Sequence, residues 1–315
     1  MQIRSEQPAD YAAVADVHIQ AFGNHSDEAT IVALLRQRAA YDPDLSLVAE
    51  VDGKIVGHAF FMPYMVQFTG IPIPAVNLAP LGILPDYQRQ GIGSALIEEG
   101  HAIARSKGYD IAFLLGHSTY YPRFGYETHA FGHSVVQVTR HNVCGLTLPV
   151  ETRSPQPADL PALRALWLAE EEDVEFVLEP EQNLNAWLSP APGYPATVYL
   201  QGRHIVGYTR GYPNKPLVFL AKHEPAAHDI AHFLLQQYDS LHLPLHPASR
   251  SIRAFSNLPD PDCEAWTAAM VAMLRYEPLI ANYMRGVWSG KHPPGRPIWP
   301  PAFDVAHFAD TNPSI

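Results

Sequence analysis

The chain has 315 residues, of which 47% are hydrophobic and 17% charged, and this size favours about two globular domains with sizeable cores. Its formal net charge of −11 argues against non-specific binding to nucleic acid, because phosphate backbones attract basic surfaces. Two cysteines far apart in the chain predict neither a disulfide framework nor a cysteine-ligated zinc site.

The sequence also argues against membrane and metal sites. It has no run of about 18 apolar residues that could span a bilayer. The first residues lack the apolar core of a signal peptide, so we expect a cytoplasmic protein. His242 and His246 have the spacing of helical metal ligands, but Pro244 and Pro247 disfavour a helix there, and we expect no metal site.

In chain order, the first half predicts a strand, two helices, three strands, a helix, a strand, a short helical turn and a strand. Asp52-Gly53 is typical of a tight hairpin turn between the second and third of these strands. The ranges are 1–4, 8–22, 28–38, 45–51, 54–62, 75–84, 94–105, 109–116, 117–126 and 130–139. Hairpins join most of the strands, so a mixed α/β sheet is expected.

The most informative stretch is Gln88-Arg89-Gln90-Gly91-Ile92-Gly93-Ser94, between a predicted buried strand and a predicted helix. The free N–H groups of a first helical turn, together with the helix dipole, favour an anion. Gly91 and Gly93 let the backbone approach a phosphate closely, and Arg89 can add a charged contact. The residues therefore predict a diphosphate site, without saying which diphosphate.

The second half restarts the first. Arg4 to Asp10 recurs as Arg153 to Asp159, and Ile55-Val56-Gly57 recurs as Ile205-Val206-Gly207. These repeats predict a tandem duplication, with domains over residues 1–148 and 149–315. The glycine loop has no counterpart between residues 216 and 228, so only the first copy should do chemistry. The acidic run 170–173 is predicted to be a solvated helix end.

Four features resemble the GCN5-related N-acetyltransferase (GNAT) family. They are the strand and glycine loop from Leu81 to Gly93, the element Tyr121 to Tyr126, the hairpin at Asp52-Gly53, and the start from Arg4 to Asp10. The likeness covers about residues 1–140. It implies the acyl-CoA N-acyltransferase fold, an α/β (α+β) architecture with a mixed sheet, in two tandem copies of which the second is degenerate.

The resemblance also implies acetyl-coenzyme A (acetyl-CoA) as co-substrate and assigns roles to residues. Tyr121 matches the family's tyrosine and would protonate the thiolate leaving group, since a phenol of pKa about 10 can supply a proton. Glu28 is the chosen base, with Asp27 and His117 left open. The residues assigned to the coenzyme are Leu81, Gly82, Ile83, Gln88, Arg89, Gln90, Gly91, Ile92, Gly93, Ser94 and Tyr120.

The expected function is transfer of an acetyl group from acetyl-CoA to an amine, on a small molecule or a peptide, through a tetrahedral intermediate. The sequence is compatible with a homodimer. Two readings from other classes stay open, namely a non-catalytic acyl-CoA-binding sensor and an interaction protein. Neither alternative requires Tyr121 for its activity, and the interaction protein requires no coenzyme.

Overall fold

A computed structural model describes residues 1–143, 148–296 and 301–306, so that Cys144 and the last nine residues lie outside the described part. The strands are β1 Gln2–Ser5, β2 Ser46–Val51, β3 Lys54–Phe68, β4 Ile71–Ile83, β5 Ile111–Leu115, β6 Tyr126–Glu127, β7 Gly132–Thr139, β8 Glu151–Arg153, β9 Val177–Leu178, β10 Ala196–Gln201, β11 His204–Tyr212, β12 Lys215–Ala221, β13 Ser240–Leu243, β14 Asp262–Ala265 and β15 Ala269–Met273. The α-helices are α1 Tyr11–Ala21, α2 Asp27–Leu35, α3 Ile92–Ser106, α4 Leu160–Glu171, α5 Glu224–Leu235 and α6 Pro278–Trp288.

The first sheet has the order β1-β2-β3-β4-β5-β15-β6, with β9 added along the end of β3. Neighbouring strands are antiparallel except β4 and β5, which are parallel. Helices cover both faces, which explains why residues 56–62 of β3 are apolar almost without a break. Phe60 packs in a core with α1 and α2, and Phe61 packs against α3 on the opposite face.

The second half of the chain repeats most of the element order of the first half, with the short strand β9 where the first half has α2. After β8 and a short helical turn come α4, the meander β10-β11-β12, α5 and β13. Even the irregularities match, because the pairing of β2 with β3 shifts register after Ala49 and that of β10 with β11 shifts after Tyr199. Such bulges bend a strand at a fixed place, so the two halves share local geometry as well as topology.

The two halves of the chain exchange a strand. β7 follows β6 in sequence, but it leaves the first sheet and pairs with β13 and β14 of the second half. In return β15, from the second half, lies between β5 and β6 of the first sheet. The described strands form three sheets. The first sheet and the three-stranded sheet β13-β7-β14 each contain a strand from the other half, whereas the four-stranded sheet β12-β11-β10-β8 lies wholly in the second half.

The predicted order of elements in the first half is confirmed, as is the mixed α/β fold class. The hairpin at Asp52-Gly53 also forms, with both residues at positive φ. The strand predicted over 130–139 exists as β7, but its partners β13 and β14 come from the second half, which no local pattern indicates. Within the described part of the chain, none of the helices has the length and apolar character needed to span a bilayer.

The interpretation of residues 170–173 as a solvated helix end is wrong for its first two members. Glu170 and Glu171 are buried at the end of α4. Glu170 accepts hydrogen bonds from the backbone N–H and hydroxyl of Ser251, and Glu171 pairs with the guanidinium of Arg296. Burial, reinforced by neighbouring Glu171, raises the pKa of Glu170 to about 7. These partners are distant in sequence, so the acidic run itself could not reveal them.

Each half begins with the same partly buried ion pair. In the first half the guanidinium of Arg4 binds Asp10, at 2.6 Å, and Asp10 also accepts the N–H of Gln7. Arg153 and Asp159 repeat this pair in the second half, again at 2.6 Å. The pair fixes the turn that starts α1 or α4, and it does so in both copies.

We expect a chain that ends at residue 148 to be insoluble or oligomeric, because it lacks β15 and leaves the edges of β5 and β6 unpaired. Co-expression with residues 149–315 should restore a soluble complex that size-exclusion chromatography detects. A monomeric, cooperatively folded 1–148 fragment would contradict the observed exchange.

Asp10→Asn and Asp159→Asn should each lower the free energy of unfolding by about 1–3 kcal/mol, since each removes a buried, hydrogen-bonded charge. The hydrogen bond from Arg4 is the main cause that lowers the pKa of folded Asp10. Its stabilisation should therefore be complete above the unfolded pKa of about 3.9 and disappear as pH falls towards the lower folded pKa. Denaturant unfolding between neutral and acidic pH measures both effects; an Asp10→Asn deficit that persists in acid would argue against the ion pair.

Candidate active site

The site lies where β4 and β5 separate. They pair only through Ala75–Asn77 and Ile111–Phe113, where the buried side-chain amide of Asn77 donates to the Phe113 carbonyl at 3.0 Å. Beyond this point β4 carries a bulge and continues along β3 to Ile83, whereas β5 continues along β15. The opening between the strands, called the cleft below, therefore has β4 residues 81–83 along one side.

The predicted glycine loop follows directly from this edge. Arg89 and Gly91 adopt positive φ, and Gly91 is the N-cap of α3. Because glycine has no side chain, it cannot accept a bond from the first-turn N–H groups, which stay available to an anion. Ile92 is buried in the core below, so it anchors the helix while residues 88–91 are exposed.

The two glutamines of the loop have structural hydrogen bonds. The side-chain amide of Gln88 donates to the carbonyl of Ile83 at 3.2 Å, and that of Gln90 donates to the carbonyl of Asp86 at 3.0 Å. The first bond holds the loop against the end of β4, and the second holds it against the turn Pro85–Tyr87. The side chains of Gln88 and Gln90 therefore fix the conformation of the loop. A ligand would contact these two residues through their backbone.

Tyr120 and Tyr121 stand at the other side of the cleft. Tyr121 begins the short helical turn Tyr121–Phe124, which Gly125 ends at φ 84°. Their rings meet edge to face, with centroids 5.1 Å apart. A Cβ on Gly93 would lie 2.9 Å from the Tyr120 hydroxyl, so Tyr120 reaches the first turn of α3. The Tyr121 ring covers Gly116, just beyond β5, where a Cβ would lie 2.3 Å from it.

The environment of Tyr121 keeps its phenol protonated. Burial, and to a smaller extent the neighbouring Tyr120, raises the pKa of Tyr121 well above its ordinary value. Since the phenol is neutral at every physiological pH, it is a hydrogen-bond donor and a source of a proton. Arg123 holds the ring of Tyr120, because the guanidinium carbon lies 4.5 Å from the centroid of that ring.

Glu28 lies in the first turn of α2 and is buried, although the sequence alone could not show this. Burial raises the pKa of its carboxyl group, and the Nδ1 atom of the neighbouring His25 lies 3.4 Å from the carboxylate. Among the described residues it makes no hydrogen bond with Tyr120 or Tyr121. The alternative bases Asp27 and His117 are more exposed, which makes their environments closer to bulk water.

Sequence reasoning missed a buried chain of polar side chains behind β4. His18 of α1 and His58 of β3 share a hydrogen bond of 2.8 Å between Nε2 and Nδ1. His58 Nε2 lies 2.9 Å from the Ser46 hydroxyl and 3.5 Å from Glu6, which in turn pairs with Arg36. A histidine inside the apolar run of β3 was the available signal.

A cavity of about 250 Å³ lies away from the cleft, where α2 and the end of β3 face the second half. Tyr64, Trp167, Trp187 and Tyr208 are among its lining residues. Tyr64 pairs with Ala75, at the closed end of the pairing between β4 and β5. This cavity is therefore separate from the glycine loop and the two tyrosines.

Comparison with known proteins identifies the family. An acetyltransferase (GNAT) domain model matches residues 2–129. The uncharacterized N-acetyltransferase YjhQ of Escherichia coli K12 is 41% identical over 121 residues, which are 38% of this chain and 65% of YjhQ. The uncharacterized N-acetyltransferase YhbS of the same strain is 34% identical over 128 residues, which are 40% of this chain and 74% of YhbS. The chain belongs to the GNAT acetyltransferase family.

The fold of a larger part of the chain has a known counterpart. A GCN5-related N-acetyltransferase from Kribbella flavida superimposes with a TM-score of 0.69 over 86% of this chain and 70% of that one, at 16% identity. At this identity the similarity shows the fold alone. It extends well beyond the 2–129 match, so it includes parts of both halves.

Gly91→Val should weaken acetyl-CoA binding about ten-fold, because a β-branched residue resists the positive φ that aims the first-turn N–H groups. Gly91→Ala is the graded comparison, since alanine has no acceptor for the first-turn N–H groups and resists positive φ less than a β-branched residue does. Isothermal titration calorimetry measures both dissociation constants. Equal affinities for the two variants would show that the backbone conformation at this position does not control binding.

Proposed function

We propose that this chain transfers the acetyl group of acetyl-CoA to an amine acceptor, on a small molecule or a peptide, without a covalent enzyme intermediate. The observation that carries the proposal is the cleft, which opens between an uncapped helix N-terminus and a partly buried, protonated tyrosine. These features are what a thioester carrier with a diphosphate requires. Family membership is consistent with the same reaction.

The coenzyme would lie along the cleft. Backbone N–H groups from Ile92 to Ser94 would hold the diphosphate at the start of α3, with exposed Arg89 adding a positive charge. The pantetheine arm would pair with the backbone of β4 from Leu81 to Ile83. Tyr120, whose hydroxyl reaches the first turn of α3, would contact the coenzyme from the opposite side.

The chemistry requires two proton transfers. The acceptor nitrogen attacks the thioester carbonyl, whose developing negative charge would be stabilised by backbone N–H groups near Gly82 and Ile83. The C–S bond breaks, and Tyr121 would protonate the departing thiolate. The nitrogen loses a proton as the amide forms, and we assign its uptake to Glu28, because a carboxyl group with a raised pKa is a better base.

The second half is proposed to be a degenerate copy from a tandem duplication, with domains over 1–148 and 149–315 in sequence. Its α5 has no anion site of the same kind, because the side chain of His223 already accepts the N–H of Ala226 at 3.1 Å. We infer that only the first copy does chemistry. The cytoplasmic location and the homodimer remain predictions of the sequence.

The proposal is tested by an assay of CoA release with a panel of amines, using Tyr121→Phe beside the wild-type chain. Loss of a general acid should lower kcat at least about ten-fold, while the dissociation constant for acetyl-CoA changes by less than about two-fold. Tyr212→Phe is the matched control, because it removes the same hydroxyl from β11 of the second half, away from the cleft.

Two results would point elsewhere. Binding of acetyl-CoA with no turnover of any amine would favour the sensor reading, and so would unchanged turnover in Tyr121→Phe. Failure to bind acetyl-CoA in a thermal-shift titration would favour the interaction protein, because a ligand at 100 times its dissociation constant should stabilise the chain by about 2.7 kcal/mol.

A further inference from the structure

The buried histidine pair has a defined protonation pattern. Burial alone would raise the pKa of Glu6, but its hydrogen bonds with His58 and Arg36 together outweigh burial and lower the pKa. Glu6 is therefore ionised. Burial lowers the pKa of both His18 and His58, so both imidazoles are neutral at physiological pH. The Glu6 carboxylate, 3.5 Å from His58 Nε2, can only accept, and the Ser46 hydroxyl, 2.9 Å from the same nitrogen, can accept as well. We therefore assign the proton to His58 Nε2, and in this tautomer His58 Nδ1 accepts the Nε2 proton of His18. The Nδ1 atom of His18 is then left with a bare lone pair.

This lone pair is aimed at the cleft edge. His18 Nδ1 is buried and has no hydrogen-bond partner among the described residues. A Cβ on Gly82 would lie 2.8 Å from it, so Nδ1 packs directly on the backbone of this residue. Gly82 is also the cross-strand partner of His58. The two histidines therefore contact β4 from the face of α1, at the centre of residues 81–83.

The second half provides an internal comparison for this arrangement. Trp167 of α4 corresponds to His18 of α1, because in each helix the preceding two buried residues lie one and four positions before it. Tyr208 occupies the place of His58, and its cross-strand partner Leu220 occupies the place of Gly82. Strands and helix thus pack in the same way when all three positions are apolar or aromatic.

The polar features that both halves need for folding are retained in both, as the pairs Arg4–Asp10 and Arg153–Asp159 show. The histidine pair is present only in the half that has the glycine loop. Burial of imidazole groups is less favourable than burial of hydrocarbon, so the fold alone gives no reason for them. Their position against Gly82 gives one.

We propose that His18, oriented by His58 and Glu6, is a positioning residue that fixes the backbone of Gly82 so that the neighbouring N–H groups polarise the thioester carbonyl. The proposal rests on the proposed function. His18 is fully buried and acts through β4, without touching the substrate. An N–H at Nδ1 would face Gly82 with no acceptor, so the neutral imidazole with its proton on Nε2 is the form that fits.

The test uses acetyl-CoA labelled with ¹³C at the acetyl carbonyl, bound to the full chain. His18→Gln keeps a donor towards His58 but has no atom at Nδ1, and His58→Gln removes the group that orients His18. In the wild-type chain the bound carbonyl resonance should move downfield from that of free acetyl-CoA. In both variants it should return towards the free value, with kcat lowered about ten-fold and acetyl-CoA affinity within about two-fold.

Asp10→Asn is the matched control, because it destabilises the start of α1 without touching the histidines and should leave the bound resonance unchanged. A wild-type resonance and kcat in His18→Gln would overturn the positioning role. This result is distinct from failure of the proposed function, which would appear as absence of acetyl-CoA binding or of turnover in the wild-type chain.

A second measurement needs no variant. In wild-type chain labelled with ¹⁵N-histidine, two-bond proton–nitrogen spectra should assign the proton of His18 to Nε2 and leave Nδ1 unprotonated. A proton on Nδ1 of His18 would overturn the proposal, even if His18→Gln did not fold.

Discussion

The pairing of β15 with β5 and β6 is the constraint on which the candidate site depends. β5 forms one side of the cleft, and it pairs with β4 through only three residues before the two strands part. From there β5 is held by β15 along its whole length, with Ala269 opposite Leu115 and Met273 opposite Ile111. β15 pairs with the backbone groups of β5 on the side away from β4. Because of this pairing, β5 remains part of the sheet where it separates from β4.

The local structure of the first half could be predicted from its sequence, and its pairing could not. Periodicity and turn residues indicate where strands and helices occur, and the Asp52-Gly53 hairpin is an example. A strand such as β7 carries no local mark of its partners, because any β-strand of suitable polarity can occupy either sheet. The exchange of β7 and β15 is decided by contacts between distant residues.

The same division holds for the site. The glycine loop and the tyrosine pair could be identified because backbone conformation and side-chain chemistry are encoded within a few residues. The burial of Glu28 and the chain from His18 to Glu6 could not, because their partners come from separate elements. For Glu170, the surrounding acidic residues even favoured the wrong environment, since Ser251 and Arg296 reach it and its neighbour from far along the chain.

The strand exchange also has a consequence for synthesis of the chain on the ribosome. Residues 111–115 leave the ribosome long before residues 269–273, so one edge of β5 must wait unpaired while the second half is made. Contacts of such large sequence separation slow folding, and an exposed strand edge invites pairing with other chains. The cleft can therefore acquire its final form only late in translation, and the growing chain has a long interval in which chaperones could protect this edge.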